Sequence, residues 1–207
     1  MIDERPHSAL YANRYFDNHF QLHAVKLLPG EYYATSDDTM IVTVLGSCVS
    51  VCLHDAIAGI RGMNHFLLPS DNTSRESLLS ESARYGGYAM EILINQMLKL
   101  GASRQQLTAK VFGGGNVMKG FTLNNVGERN VDFTFEYLER EQIPLLASDV
   151  LSDYPRKVYF MPGEGRVNIK KIRSLHNTTI LDRESEYRLR IKQSKLDKDV
   201  DLFGEEL

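Results

Sequence analysis

Cys48 and His65 are the side chains whose types and spacing best suit covalent chemistry in this sequence. Cys48 closes the run Thr43-Val44-Leu45-Gly46-Ser47-Cys48, where an apolar stretch meets a Gly-Ser turn. A tight turn leaves backbone N–H groups free. Free amides lower a thiol pKa and can hold an oxyanion, two requirements of a cysteine nucleophile. The nucleophile also needs a base within hydrogen-bond reach, and the base needs a group that orients it. His65, seventeen residues on and in a separate predicted strand, is the candidate base. The pair alone does not establish catalysis, because free cysteines mostly serve as small buried hydrophobes.

Other chemistries fit less well. Cys48, Cys52, His54 and His65 are all zinc-ligand types. Four residues of strand span roughly 13 Å, however, whereas tetrahedral zinc holds its ligand atoms about 2–2.3 Å away. The same distance excludes a Cys48–Cys52 disulfide within a straight strand. Gly113-Gly114-Gly115-Asn116 lacks the Lys-Ser/Thr ending of a phosphate loop. Close backbone approach beside a strand end is the better reading, and such a loop could wall an active site. In Gly127-Glu128-Arg129-Asn130, Arg129 suits an acidic group, a salt bridge or a cap. Ser47 fails as a nucleophile-elbow serine, since Leu45 and Val49 stand where glycines are required.

The elements that must position these residues follow from periodicity. Met40–Leu45 is a β-branched apolar run suited to a buried strand. From Cys48 to His54 the pattern alternates, placing Val49, Val51 and Leu53 on one face and Cys48, Ser50, Cys52 and His54 on the other. Ile60 to Leu68 reads as a hairpin return that Pro69 stops, and Leu28-Pro29-Gly30-Glu31 as a turn. A helix is predicted over about 82–100, with Ala89, Ile92, Leu93, Gln96, Met97 and Leu100 facing a core and Gly101 as its C-terminal cap. A strand over 107–112 leads into the triple glycine. A second helix after Gly127 turns Val131, Phe135, Leu138 and Gln142 inward, and 143–150 is a third apolar strand. The strands 156–160 and 167–172 flank Pro162-Gly163-Glu164-Gly165, a hairpin signature.

These elements predict an α/β (α+β) layered sandwich, with mixed sheets and two long helices packed on one side. Residues 1–25 read as an irregular arm, 26–172 as the domain and 173–207 as a charged tail, solvated or weakly docked. That tail carries seven Lys/Arg and eight Asp/Glu and has helical potential near Glu184 to Lys195. Its last stretch, Asp201 to Leu207, suits an unstructured acidic end better than a docking motif. A net charge of -3 over 207 residues disfavours nucleic acid as the partner. The longest stretch free of charge or His, Thr39 to Leu53, is fifteen residues, short of the ~20 that a spanning helix needs. An acidic start and only two cysteines lead to the expectation of a cytoplasmic protein with reduced thiols.

Four segments in order resemble one known family: Leu45 to Leu53, Gly62 to Pro69, Lys110 to Asn116 and Val126 to Asn130. They are similar to CheD, the chemoreceptor glutamine deamidases of bacterial chemotaxis, over about residues 25–172. The resemblance implies a cysteine hydrolase with a Cys-His-Thr arrangement, distantly like papain and the toxin deamidases. It maps the nucleophile onto Cys48, the base onto His65 and the threonine onto Thr43, the only hydroxyl in the preceding strand. The family place six residues before the cysteine is Val42 here. Register therefore decides the threonine assignment, because a slip of one residue turns a side chain to the other face. No cofactor or metal is implied. The implied partners are the cytoplasmic region of chemoreceptors and a CheC-type phosphatase, with a monomer as the default. Receptor methylesterase activity is an implied side reaction, and a non-catalytic module that binds and stimulates the phosphatase is the alternative.

Overall fold

A computed structural model describes residues 13–69, 75–116, 126–172, 182–187 and 189–191, with side chains described outside 75–83. In chain order the strands are β1 (Asn13–Asp17), β2 (Leu22–Leu27), β3 (Tyr32–Thr35), β4 (Met40–Leu45), β5 (Val49–Asp55) and β6 (Ile60–Asn64). Helix α1 (Arg75–Lys99), β7 (Leu107–Gly113), α2 (Val126–Arg140), β8 (Leu145–Val150), β9 (Arg156–Phe160) and β10 (Val167–Lys171) follow. One sheet runs β1-β2-β4-β9-β10 and the other β3-β6-β5-β7-β8. Both helices pack on the second sheet, α1 against β3 and β6, α2 against β5 and β7. The result is a mixed α+β fold of stacked sheets with a helical layer.

Alternation along β5 divides its side chains between two of the three core clusters found among the described residues. Val49, Val51 and Leu53 of β5 join Leu107, Ala109 and Val111 of β7 beneath the helices. Cys48 and Cys52 turn the other way and join Ile41, Leu45, Met63, Phe112 and Val158 between the sheets. The β5 alternation thus lies as its sequence pattern predicts. The chain crosses from the first sheet to the second at Gly46-Ser47-Cys48, between β4 and β5. Cys48 therefore sits at a crossing point between layers.

Several expectations need correction. Residues 13–17 and 22–27, read up to residue 25 as an irregular arm, form an antiparallel pair, and β2 runs parallel to β4. Their aromatic and histidine content hid a strand whose outer face is wet. In α1 the buried stripe is Met90, Leu93, Ile94 and Met97, rotated from the predicted one; Leu100 is exposed. Gly101 does cap this helix, with φ of 106° and bonds from its N–H to Leu98 and from the Ala102 N–H to Met97. In α2 the buried set includes Asn130, Thr134 and Tyr137, while Gln142 lies outside the helix and is exposed. Strand β8 is an edge with Leu145 and Leu146 exposed, not a buried apolar strand. Residues 182–187 and 189–191 are helical, and Glu184 and Ile191 are buried, so this part of the tail is docked rather than solvated. Residues 1–12, 173–181 and 192–207, including Asp201 to Leu207, lie outside the described residues.

Candidate active site

The Gly46-Ser47-Cys48 turn is held by its carbonyls. The Gly115 N–H donates to the Gly46 carbonyl and the Gly114 N–H to the Cys48 carbonyl, each at 2.8 Å. Between them, Asn130 Nδ2 donates to the Ser47 carbonyl at 2.9 Å, while Asn130 Oδ1 accepts from the Leu68 N–H at 2.8 Å. With three successive carbonyls bound to one wall, the three N–H groups converge on the opposite side as an anion nest. The triple glycine is what allows the approach. A Cβ on Gly113 would stand 2.2 Å from the Cys48 carbonyl oxygen, and φ there is 110°. Close backbone packing, rather than phosphate binding, accounts for this loop.

The nest is filled from the C-terminal segment. The Gly46 and Cys48 amides donate to Glu184 Oε1 at 3.0 and 3.2 Å. The Ser47 amide and hydroxyl donate to Oε2 at 3.2 and 2.6 Å. Glu184 is only 4% exposed.

Thr43 shares a face of β4 with Ile41 and Leu45, which belong to the core between the sheets, whereas Val42 and Met40 face outward with Ala24. Register thus brings the Thr43 side chain, and not Val42, toward the second sheet. Its hydroxyl donates to the Leu27 carbonyl at 2.9 Å and lies 2.8 Å from His65 Nδ1. A hydroxyl has one proton, and the Leu27 carbonyl is placed to accept it. With the proton there, the ring donates through Nδ1–H, which leaves the lone pair of neutral His65 on Nε2. That Nε2 is buried and has no hydrogen-bond partner among the described residues.

Pairing also relates His65 to Cys48. Val49 and Phe66 exchange backbone hydrogen bonds at 2.9 Å, and both side chains belong to the core under the helices. The residues before each, Cys48 and His65, then lie on the opposite face as diagonal neighbours. In antiparallel strands such neighbours are about 7–8 Å apart at Cα, within reach of long or aromatic side chains. The His65 backbone is clamped from the other side, its N–H donating to the Glu31 carbonyl at 2.9 Å and its carbonyl accepting from Gly30 at 2.7 Å.

Both groups are enclosed: Cys48 is 0% and His65 2% exposed. Burial holds the His65 imidazole well below its ordinary value, and the Glu184 charge and the Leu27 carbonyl offset that only in part. Burial pushes the Cys52 thiol up, with Lys110 opposing weakly, so Cys52 is a core residue. Asn64, the strand neighbour of His65, points away as expected: its Oδ1 accepts from Val51 and its Nδ2 donates to Ala89. Arg129 donates to the Pro69 carbonyl at 2.6 Å.

Sequence reasoning missed two residues. Asn130 lay inside a quoted motif, where its polar side chain on the apolar face of α2 was the available signal. Glu184, Tyr187 and Ile191 follow i, i+3, i+7 spacing, the mark of a docking helix, but nothing local says where it docks.

A family profile described as "CheD chemotactic sensory transduction" matches residues 67–171. The "Probable chemoreceptor glutamine deamidase CheD 1" of Shewanella oneidensis is 62% identical over 93% of this chain and 94% of its own length. The proteins named "Probable chemoreceptor glutamine deamidase CheD" from Laribacter hongkongensis and Methylobacillus flagellatus are 56% and 54% identical. They cover 91% and 94% of this chain, and 92% and 96% of their own lengths. The profile begins two residues after His65, and these relatives extend the similarity across the rest of the site.

Proposed function

The chain belongs to the CheD family, and we infer from that membership that it is a chemoreceptor glutamine deamidase, a hydrolase turning receptor glutamines into glutamates. On this reading Cys48 is the nucleophile, His65 the general base and acid, and Thr43 the group that orients the imidazole. The observation that supports the assignment is the Thr43 hydroxyl between the Leu27 carbonyl and His65 Nδ1, which suits a tautomer with a basic Nε2 on a residue sharing a strand face with Cys48.

The reaction then runs in two halves. His65 Nε2 takes the thiol proton as Cys48 Sγ attacks the carboxamide carbon of a glutamine. The amides of Gly46, Ser47 and Cys48, already arranged to hold an anion, receive the developing oxyanion. The imidazolium returns its proton to the amide nitrogen, ammonia leaves and a thioester remains. Water, deprotonated by His65, then adds to the thioester; collapse restores the thiol and yields a carboxylate. A receptor methyl ester would follow the same steps with methanol leaving. A hydroxyl stabilises the imidazolium less than the carboxylate of a serine-protease triad does, which accords with the low basicity that burial imposes on His65. On this reading the distant likeness to papain lies in the Cys-His pair, papain-like proteases having an asparagine as the third group where this chain has a hydroxyl.

The substrate is the cytoplasmic region of chemoreceptors, which places the enzyme in the cytoplasm; among the described residues no helix is long and apolar enough to cross a membrane. A CheC-type phosphatase is a further partner on this reading, and the monomer is the working unit. The test is mass-spectrometric mapping of a receptor cytoplasmic fragment incubated with the protein. Specific glutamines become glutamates with the native chain and stay unchanged with Cys48→Ala, whose circular dichroism remains native. Equal conversion by Cys48→Ala overturns the assignment.

A further inference from the structure

The enclosure of Cys48 and His65 conflicts with a protein substrate. A receptor glutamine must bring its carboxamide carbon to about 3–3.5 Å from the sulfur, yet neither reacting side chain is accessible. Residues of the C-terminal segment line two cavities that His65 also borders. One, about 20 Å³, is bordered by Leu27, Val44, His65, Arg183 and Glu184. The other, about 90 Å³, is bordered by His65, Phe66, Tyr85, Tyr88 and Tyr187. The smaller holds about one water and neither admits a helix-borne glutamine.

The segment is docked through one helical face. Glu184 enters the nest, Ile191 is buried, and Tyr187 packs on Gly30, where an added Cβ would lie 2.6 Å from the tyrosine ring. The Tyr187 hydroxyl also bonds that of Tyr85 from α1. Burial raises both phenols.

The chemistry of the occupant is specific. Glu184 is a glutamate on a helix, with a carboxylate in the amides proposed to receive the oxyanion of the reaction. It has the side chain that deamidation creates. We propose that residues 182–187 and 189–191 are a built-in product mimic, occupying the substrate groove in cis and closing the site until a receptor helix displaces them. The inference rests on the deamidase reading and deepens it. The groove accepts a helix presenting a Glx side chain with an aromatic three residues on. Because the segment is tethered, it competes at the effective concentration of an intramolecular ligand. If nine-tenths of molecules are closed, the apparent KM for receptor is raised about tenfold with kcat unchanged.

A structural staple for the turn would behave oppositely, since its removal would loosen the nest and slow turnover. Full-length Glu184→Ala and Tyr187→Ala, assayed on a receptor cytoplasmic fragment, are expected to lower KM by about tenfold, or less for Tyr187, at constant kcat. Glu184→Gln supplies a second readout, because it converts the mimic into a substrate. Cys48 attacks the carboxamide carbon that this substitution introduces, ammonia leaves with the His65 proton, and water hydrolyses the thioester to restore glutamate. Peptide mass mapping of Glu184→Gln should find the amide replaced by a carboxylate at a rate independent of protein concentration. In the Cys48→Ala/Glu184→Gln double variant the amide should remain. A KM unchanged or raised in both alanine variants, with the introduced amide persisting in a protein that still converts receptor glutamines, overturns product mimicry and leaves the deamidase reading standing. Failure of the native chain and every variant to convert any receptor glutamine defeats the reading beneath it.

Discussion

One hydroxyl proton bears on how the imidazole is used. With its proton on the Leu27 carbonyl, Thr43 accepts from His65. Thr43→Val removes that acceptor while keeping nearly the same shape. The expected result is a fall in kcat/KM of about tenfold, ~1.4 kcal/mol of transition-state stabilisation, because the ring loses both its tautomeric bias and its anchor. The same change also costs roughly 1 kcal/mol of stability through the unpaired Leu27 carbonyl. Thr43→Ser keeps the hydroxyl and should retain most activity. Kinetics on the receptor fragment, with urea midpoints of both variants, separate the two effects; equal activity of Val and Ser variants would show that the contact does not orient the base.

At the scale of elements, the nest exists because three neighbours grip three carbonyls. Helix α2 contributes Asn130, buried between the Ser47 carbonyl and the Leu68 N–H. Asn130→Ala strips partners from two polar groups at once, and each unsatisfied buried group costs about 1–3 kcal/mol. The variant should therefore lose roughly 3 kcal/mol in urea unfolding, with a slower deamidation rate because the amides of 46–48 are no longer held. A loss under about 1 kcal/mol would mean that water replaces the asparagine. The helix position was legible from Val131 and Leu138, but the polar clamp was not, since an asparagine on an apolar face looks like a flaw until its partners are in place. The rotated stripe of α1 has a similar cause. Periodicity fixes a helix, whereas the angle it turns to the sheet depends on ridges and grooves that meet only after packing.

For the whole molecule, enclosing an imidazole couples stability to pH. Burial lowers the His65 pKa and, with help from Arg61 and Lys110, that of His54. Both are neutral in the fold and titrate near about 6.5 when unfolded. Protonation therefore favours the unfolded chain: the stability tied to these groups is complete above about pH 6.5 and is lost as pH falls toward the folded values. The urea midpoint should drop between about pH 7 and pH 5, and His65→Gln should flatten part of that slope, the rest belonging to His54 and other groups. An unaltered slope in His65→Gln would show that the ring is not buried neutral.

From the sequence come the β4 and β5 strands, the turn before Cys48, the Gly101 cap, the β9–β10 hairpin and the family motifs. These follow from local rules: alternation places faces, Gly and Pro place turns, and a motif needs no distant partner to be read. The strand pair β1–β2 escaped because β1, a largely exposed edge, and the half-buried β2 show little alternation. That Thr43 rather than Val42 lies against His65 was set only when β4 took its register against β2 and β9. The seat of Glu184, more than a hundred residues along the chain from the turn it fills, was set by the fold alone. Its carboxylate finds three converging amides that do not exist until two sheets and a helix have packed, and no pattern within the chain encodes an encounter at that separation.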